Sequence, residues 1–176
     1  MNRFYLDTEF LEDGHTIDLI SIALVSEDGR AEYYAGNADC DFGRVGRDEW
    51  LRVNVIPHLI KRDGLTFDSF WKPKAQIGQE LLGFFGIARG VGVHGQPEIW
   101  ADFASYDWVA LCQIYGRMID LPSGLPMFCM DLMQDLRQRG IPRSELPKQN
   151  PATEHSAIED ARWLRKAHLF AQGRNW

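Results

Sequence analysis

The chain has 176 residues, 45% of them hydrophobic, which fits one compact globular domain over residues 1–176. The opening MNRFYLDTEF lacks a basic-then-apolar leader and no later apolar run nears the roughly 20 residues of a membrane span, so a soluble, uncleaved protein with no membrane partner is expected. A net charge of -6 argues against nucleic-acid binding through a basic surface alone, and three scattered cysteines (Cys40, Cys112, Cys129) argue against a disulfide framework or thiolate zinc site and for a reducing cytoplasm.

In chain order, residues 3–7 alternate apolar and polar, and residues 17–26 (TIDLISIALV without its first Thr, then Ser26) form a β-branched apolar run; both read as strands. EDGH makes the turn between them, and Glu27-Asp28-Gly29 leads into a third strand, AEYYA. This is a three-stranded antiparallel meander. Residues 48–60 have helical spacing as far as Pro57, and 63–74 read as loop. The spacing predicts a helix over 74–89, with Ile77, Leu81, Leu82, Phe84 and Phe85 on one face, ended by the stretch from Gly90 to Pro97.

The second half alternates strand and helix. PEIWAD is a strand, YDWVALCQIYG a helix closed by Gly116, MFCM a strand and DLMQDLRQRG a helix closed by Gly140. A proline-containing loop, 141–153, precedes a last helix over 154–172. Meander, then helix, strand, helix, strand, helix is the order of an α/β domain of ribonuclease-H-like type: a mixed sheet, part antiparallel and part parallel, flanked by helices.

Chemistry enters with the acidic residues. Among 25 Asp and Glu, chance alone supplies acid-x-acid pairs such as Asp39-x-Asp41. Asp7-x-Glu9 differs because it lies at the end of the first strand, where the two-residue period points both carboxylates to one face. Asp107 lies in the first turn of the helix after PEIWAD, a position that the helix dipole also favours for any acid. Asp102, at the strand end, reads as a supporting or capping residue, and Asp131 as an N-cap. His155 and Asp160 open the last helix, five residues and about 140° apart in projection, so His155 must sit at or before the first turn for Asp160 to point inward. Two-metal phosphodiester hydrolysis requires such a set: several carboxylates around two divalent ions, Mg²⁺ or Mn²⁺, and a group that takes a proton from water.

The order D-x-E, Y-D-x-x-x-L, H-x-x-x-x-D resembles the three motifs of the DEDDh exonuclease superfamily, which includes RNase T, oligoribonuclease and proofreading subunits. The wording DTEFLEDGHTIDLISIALV is further similar to the small bacterial family described as polyadenylate-specific 3′-exoribonuclease AS. The resemblance implies 3′-to-5′ hydrolysis of single-stranded RNA ends to nucleoside 5′-monophosphates, with Asp7, Glu9, Asp107 and Asp160 as metal ligands, His155 as general base, and a homodimer as the assembly. It departs from many relatives at Phe10-Leu11, where they carry Thr-Gly, and at Phe103, where they carry Asn.

Around this centre, Phe10, Leu11 and His15 fall where the superfamily lines the pocket of the terminal nucleotide; Phe10 either stacks a base or packs in the core. Trp71, with Lys72 and Lys74, and Arg143, with Arg137, Arg139 and Lys148, either contact RNA or are simply solvated. Two other readings fit the same residues: a DNA 3′-to-5′ exonuclease, since no residue pattern reveals a 2′-hydroxyl contact, and a binding module with lapsed catalysis.

Overall fold

The computed structural model describes residues 2–59, 67–88, 91–92 and 95–173. Three long strands lead: β1 (Arg3–Glu12), β2 (Ile17–Ser26) and β3 (Glu32–Asn37). Short helices follow, α1 (Phe42–Val45), α2 (Glu49–Asn54), α3 (Ile56–Leu59) and α4 (Phe67–Phe70), then β4 (Trp71–Lys72) and α5 (Lys74–Phe84). A two-residue antiparallel pair, β5 (Ile87–Ala88) and β6 (Val91–Gly92), precedes β7 (Glu98–Ala101), α6 (Ser105–Tyr115), β8 (Met130–Asp131), α7 (Leu132–Arg139) and α8 (Ala157–Ala171).

The main sheet has six strands in the order β4-β3-β2-β1-β7-β8. β1, β2 and β3 pair antiparallel, while β4, β7 and β8 join parallel to their neighbours. The mixed sheet therefore matches the expected class. Period-two alternation divides β1: Phe4 and Leu6 pack under α5 and α6, whereas Tyr5 faces α7 and α8. Each face has its own core, one of Ile77, Leu81, Ile99 and Leu111 with β1 and β2, the other of Ile20, Val25, Ala157 and Ala161 with α1 to α3.

Several expectations need correction. β1 continues to Glu12, beyond the predicted 3–7, because β2 pairs with it through Ile17. The 48–60 helix breaks at Val55 into α2 and α3, with Pro57 inside α3, where its missing N–H is tolerated in a first turn. Helix α5 stops at Phe84 because Gly86, φ +70°, reverses the chain in the left-handed region open to glycine. Within the predicted loop, 63–66 lie outside the described residues, 67–70 form a helical turn and Trp71–Lys72 pair with Gly36 and Asn37 of β3. Of MFCM only Met130 is strand, and α8 begins at Ala157, not at residue 154.

Candidate active site

The site lies where helices from both faces of the sheet approach β1 beyond its last parallel partner. β1 pairs with β7 only from Arg3 to Tyr5, so Asp7 and Glu9 stand past the paired segment. Their side chains share the α8 face, two residues apart on a strand. The register between β1 and β2 shifts between Glu9 and Phe10, leaving Ile20 without a partner; such bulges are enriched beside active sites. Asp160, in the first turn of α8, completes the group: one oxygen each from Asp7, Glu9 and Asp160 lies within 4.8 Å of the others. That spacing suits a divalent cation, which takes oxygen ligands.

Asp107 comes from the opposite face, in the first turn of α6. Thr8, between the two acids, points its side chain to that face, and both its backbone N–H and its hydroxyl donate to Asp107 Oδ1, at 2.8 and 2.7 Å. Asp107 is therefore buried and fixed, with Oδ2 outside that pair of bonds. Asp160 is fixed as well. Its Oδ2 accepts the His155 backbone N–H at 3.0 Å, and its Oδ1 accepts from Gln149.

Buried carboxylates gathered in this way are costly without a counter-charge. Desolvation raises Asp7 and Glu9 well above the usual carboxylate range, and the other acids of the group push both further. Burial pushes Asp107 up to about 7 against the pull of the two Thr8 bonds, and pushes Asp160 up to about 7 against the bonds from His155 and Gln149. Among the described residues no Lys or Arg makes an ion pair with any of the four. An all-oxygen, anionic, desolvated donor set without a cationic side chain is the chemistry that a hard divalent ion fits.

His155 lies outside α8. It precedes the N-cap Ser156 with φ +64°, a left-handed conformation that turns it off the helix axis, as the spacing to Asp160 required. Its ring meets Trp50 of α2 edge-on, with centroids 4.7 Å apart. Phe10 is partly exposed and stacks on Tyr106 at 5.7 Å with planes 8° apart.

The remaining predicted contacts scatter. Leu11 is buried in the core with Ile20 and Val45. His15 is exposed in the β1–β2 turn, its N–H bonded to Asp13. Trp71 sits on the edge strand β4, three strands from β1, against Phe42 and Phe70. Arg143 is held by Asp102 through bonds of 2.8 and 2.6 Å, and Asp131 caps α7 through Gln134 N–H, as expected. Sequence reading missed Thr8, Trp50, Tyr106 and Gln149. Thr8 was legible, since period two sends the residue between two paired acids to the other face; Gln149 lies in an aperiodic loop that offers no such signal.

The mixed sheet flanked by helices, with the acidic group on β1 and α8, is a fold of the ribonuclease-H-like class. In fold it is similar to the solved nuclease domain of 3′hExo, a DEDDh family member bound to rAMP, with a TM-score of 0.50 and 11% identity over 97% of this chain and 92% of that one. The chain belongs to the Rv2179c-like 3′-5′ exoribonuclease domain family, whose pattern matches residues 2–171. It is 42% identical over 169 residues to the 3′-5′ exoribonucleases Rv2179c and MT2234.1 of two Mycobacterium tuberculosis strains, covering 96% of this chain and 92% of each relative.

Proposed function

We propose that the chain shortens single-stranded RNA from its 3′ end, releasing nucleoside 5′-monophosphates, with Asp7, Glu9, Asp107 and Asp160 holding two divalent ions, Mg²⁺ or Mn²⁺. The observation that carries this reading is the convergence of Asp7, Glu9 and Asp160 within 4.8 Å beside the buried Asp107. Such ions, held by these carboxylates, would supply positive charge against the phosphate and the departing 3′-oxygen.

The chain's own groups do the rest. Thr8 keeps Asp107 in one orientation, and the His155 N–H and Gln149 do the same for Asp160, so the acids are preorganised before substrate arrives. The His155 imidazole takes the proton of the attacking water, and Trp50 limits the positions of the ring. The Phe10–Tyr106 stack offers a flat apolar surface to the terminal base. The chain acts in the cytoplasm, in keeping with free Cys40, Cys112 and Cys129, and none of its described helices is long and apolar enough to cross a membrane. It assembles as a homodimer; light scattering that returns only 20.2 kDa at micromolar concentration overturns that assignment.

The test is a time course on matched 5′-labelled RNA and DNA oligomers with Mg²⁺ or Mn²⁺, with and without chelator. A ladder shortening from the RNA 3′ end, abolished by chelator, is expected. Faster degradation of DNA would make it a deoxyribonuclease. Calorimetric metal binding without cleavage of either strand would make it a binding module.

A further inference from the structure

Where β7 turns into α6, Phe103 adopts φ +54°, in the left-handed region where a bulky side chain is an outlier. Asn or Gly relaxes such a position. Burial gives little in return, since Phe103 is 62% exposed. Backbone strain concentrated on an exposed aromatic beside a catalytic centre points to a ligand outside the folded chain.

Arg143 adds a second observation. Its guanidinium lies 5.4 Å from the centre of the Phe103 ring and 5.0 Å from that of Trp163. Bonds of 2.8 and 2.6 Å to Asp102, and a 3.0 Å contact with the Met133 sulfur, hold it there. Ring and cation therefore form a preset rim on the short turn from β7 (ending at Ala101) into α6, the helix whose first turn carries Asp107.

The placement supplies a third. Phe10 follows Glu9 along β1, whereas Phe103 stands off the end of the neighbouring strand β7. A phosphodiester at the carboxylates has one nucleotide on each side, and two separate aromatic surfaces are available to them. Resting on the exoribonuclease reading above, we propose that Phe103, braced by Arg143, stacks the nucleobase next to the terminal one and so sets affinity for RNA chains, as distinct from single nucleotides. Stacking of this kind tolerates any base.

The experiment compares wild type, Phe103→Asn and Phe103→Trp by thermal melting, 5′-AMP binding by calorimetry and KM on a 5′-labelled oligoribonucleotide. Phe103→Asn should melt at or above wild type, because Asn accepts the left-handed backbone. Its KM for the oligomer should rise about 10-fold or more, with 5′-AMP affinity changed by less than about twofold and Phe103→Trp close to wild type. An unchanged KM in Phe103→Asn overturns the proposal. So does an equal loss of 5′-AMP affinity, which would move the ring to the terminal nucleotide, or a melting point well below wild type, which would make the ring a support of the fold. If wild type leaves RNA intact, the exoribonuclease reading fails first and this role falls with it.

Discussion

Replacing Asp107 by Asn should make the metal-free protein more stable while it destroys activity. The amide keeps the volume, and its oxygen can still accept both Thr8 bonds, so what changes is the charge at Oδ2. Burial holds Asp107 at about 7, against 3.8 for the unperturbed group. The folded chain therefore keeps this proton between pH about 4 and about 7, while the unfolded chain has lost it. Over that window the unfolded state binds fewer protons, so stability falls as pH rises and the full penalty is present above about 7. At about 1.4 kcal/mol per pH unit the displacement bounds the penalty near ~4 kcal/mol, and sharing among the interacting acids leaves about 2 kcal/mol for this site. For a chain of this size that corresponds to a rise in Tm of about 4–8 °C. The assay is thermal melting with chelator at pH 8 and pH 4, repeated with Mn²⁺. At pH 8 Asp107→Asn should melt higher than wild type, at pH 4 the gap should close, and Mn²⁺ should stabilise wild type more than the variant. A variant that melts lower at pH 8, or a gap independent of pH, refutes the reasoning.

Three other outcomes are expected. Asp7→Asn should fold yet retain no more than a few per cent of the wild-type rate, because an amide oxygen is a poor ligand for a hard divalent ion; greater retention removes Asp7 from the ligand set. His155→Ala should lower the single-turnover rate by about 10²–10⁴ and flatten the acid limb of the rate–pH profile, since only a neutral imidazole accepts a proton; an acid limb that survives in the variant rules out the general-base role. His168, fully buried between Tyr5, Trp100 and Gln172, is pushed down to about 4 by burial. Its stabilisation is complete above about pH 6.5, where the unfolded imidazole is also neutral, and is lost as pH falls towards 4, by up to about 3 kcal/mol. Urea midpoints between pH 4 and 7 should show that loss in wild type and much less of it in His168→Leu; identical slopes would dismiss it.

Local pattern determined a large part of this protein. Alternation along β1 set the shared face of Asp7 and Glu9, Gly140 (φ +69°) ended α7 where it was expected, and the mismatch between a five-residue step and the helical turn required His155 to leave α8 before Asp160. These features depend on a few neighbouring dihedrals, which sequence encodes directly. Tertiary structure decided what depends on distant partners. β4 exists because Gly36 and Asn37 of β3 pair with Trp71 and Lys72, and a Cβ on Gly36 would come within 2.3 Å of the Trp71 ring. That pairing carries Trp71 to the sheet edge, three strands from β1. The same holds for Leu11, drawn into the core by helices far along the chain, and for Gln149, brought onto Asp160 by a loop without periodicity. The sequence alone named the ionisable groups; only packing from both faces of the sheet decided how closely their charges meet, and desolvation at that distance gives the site its demand for a cation.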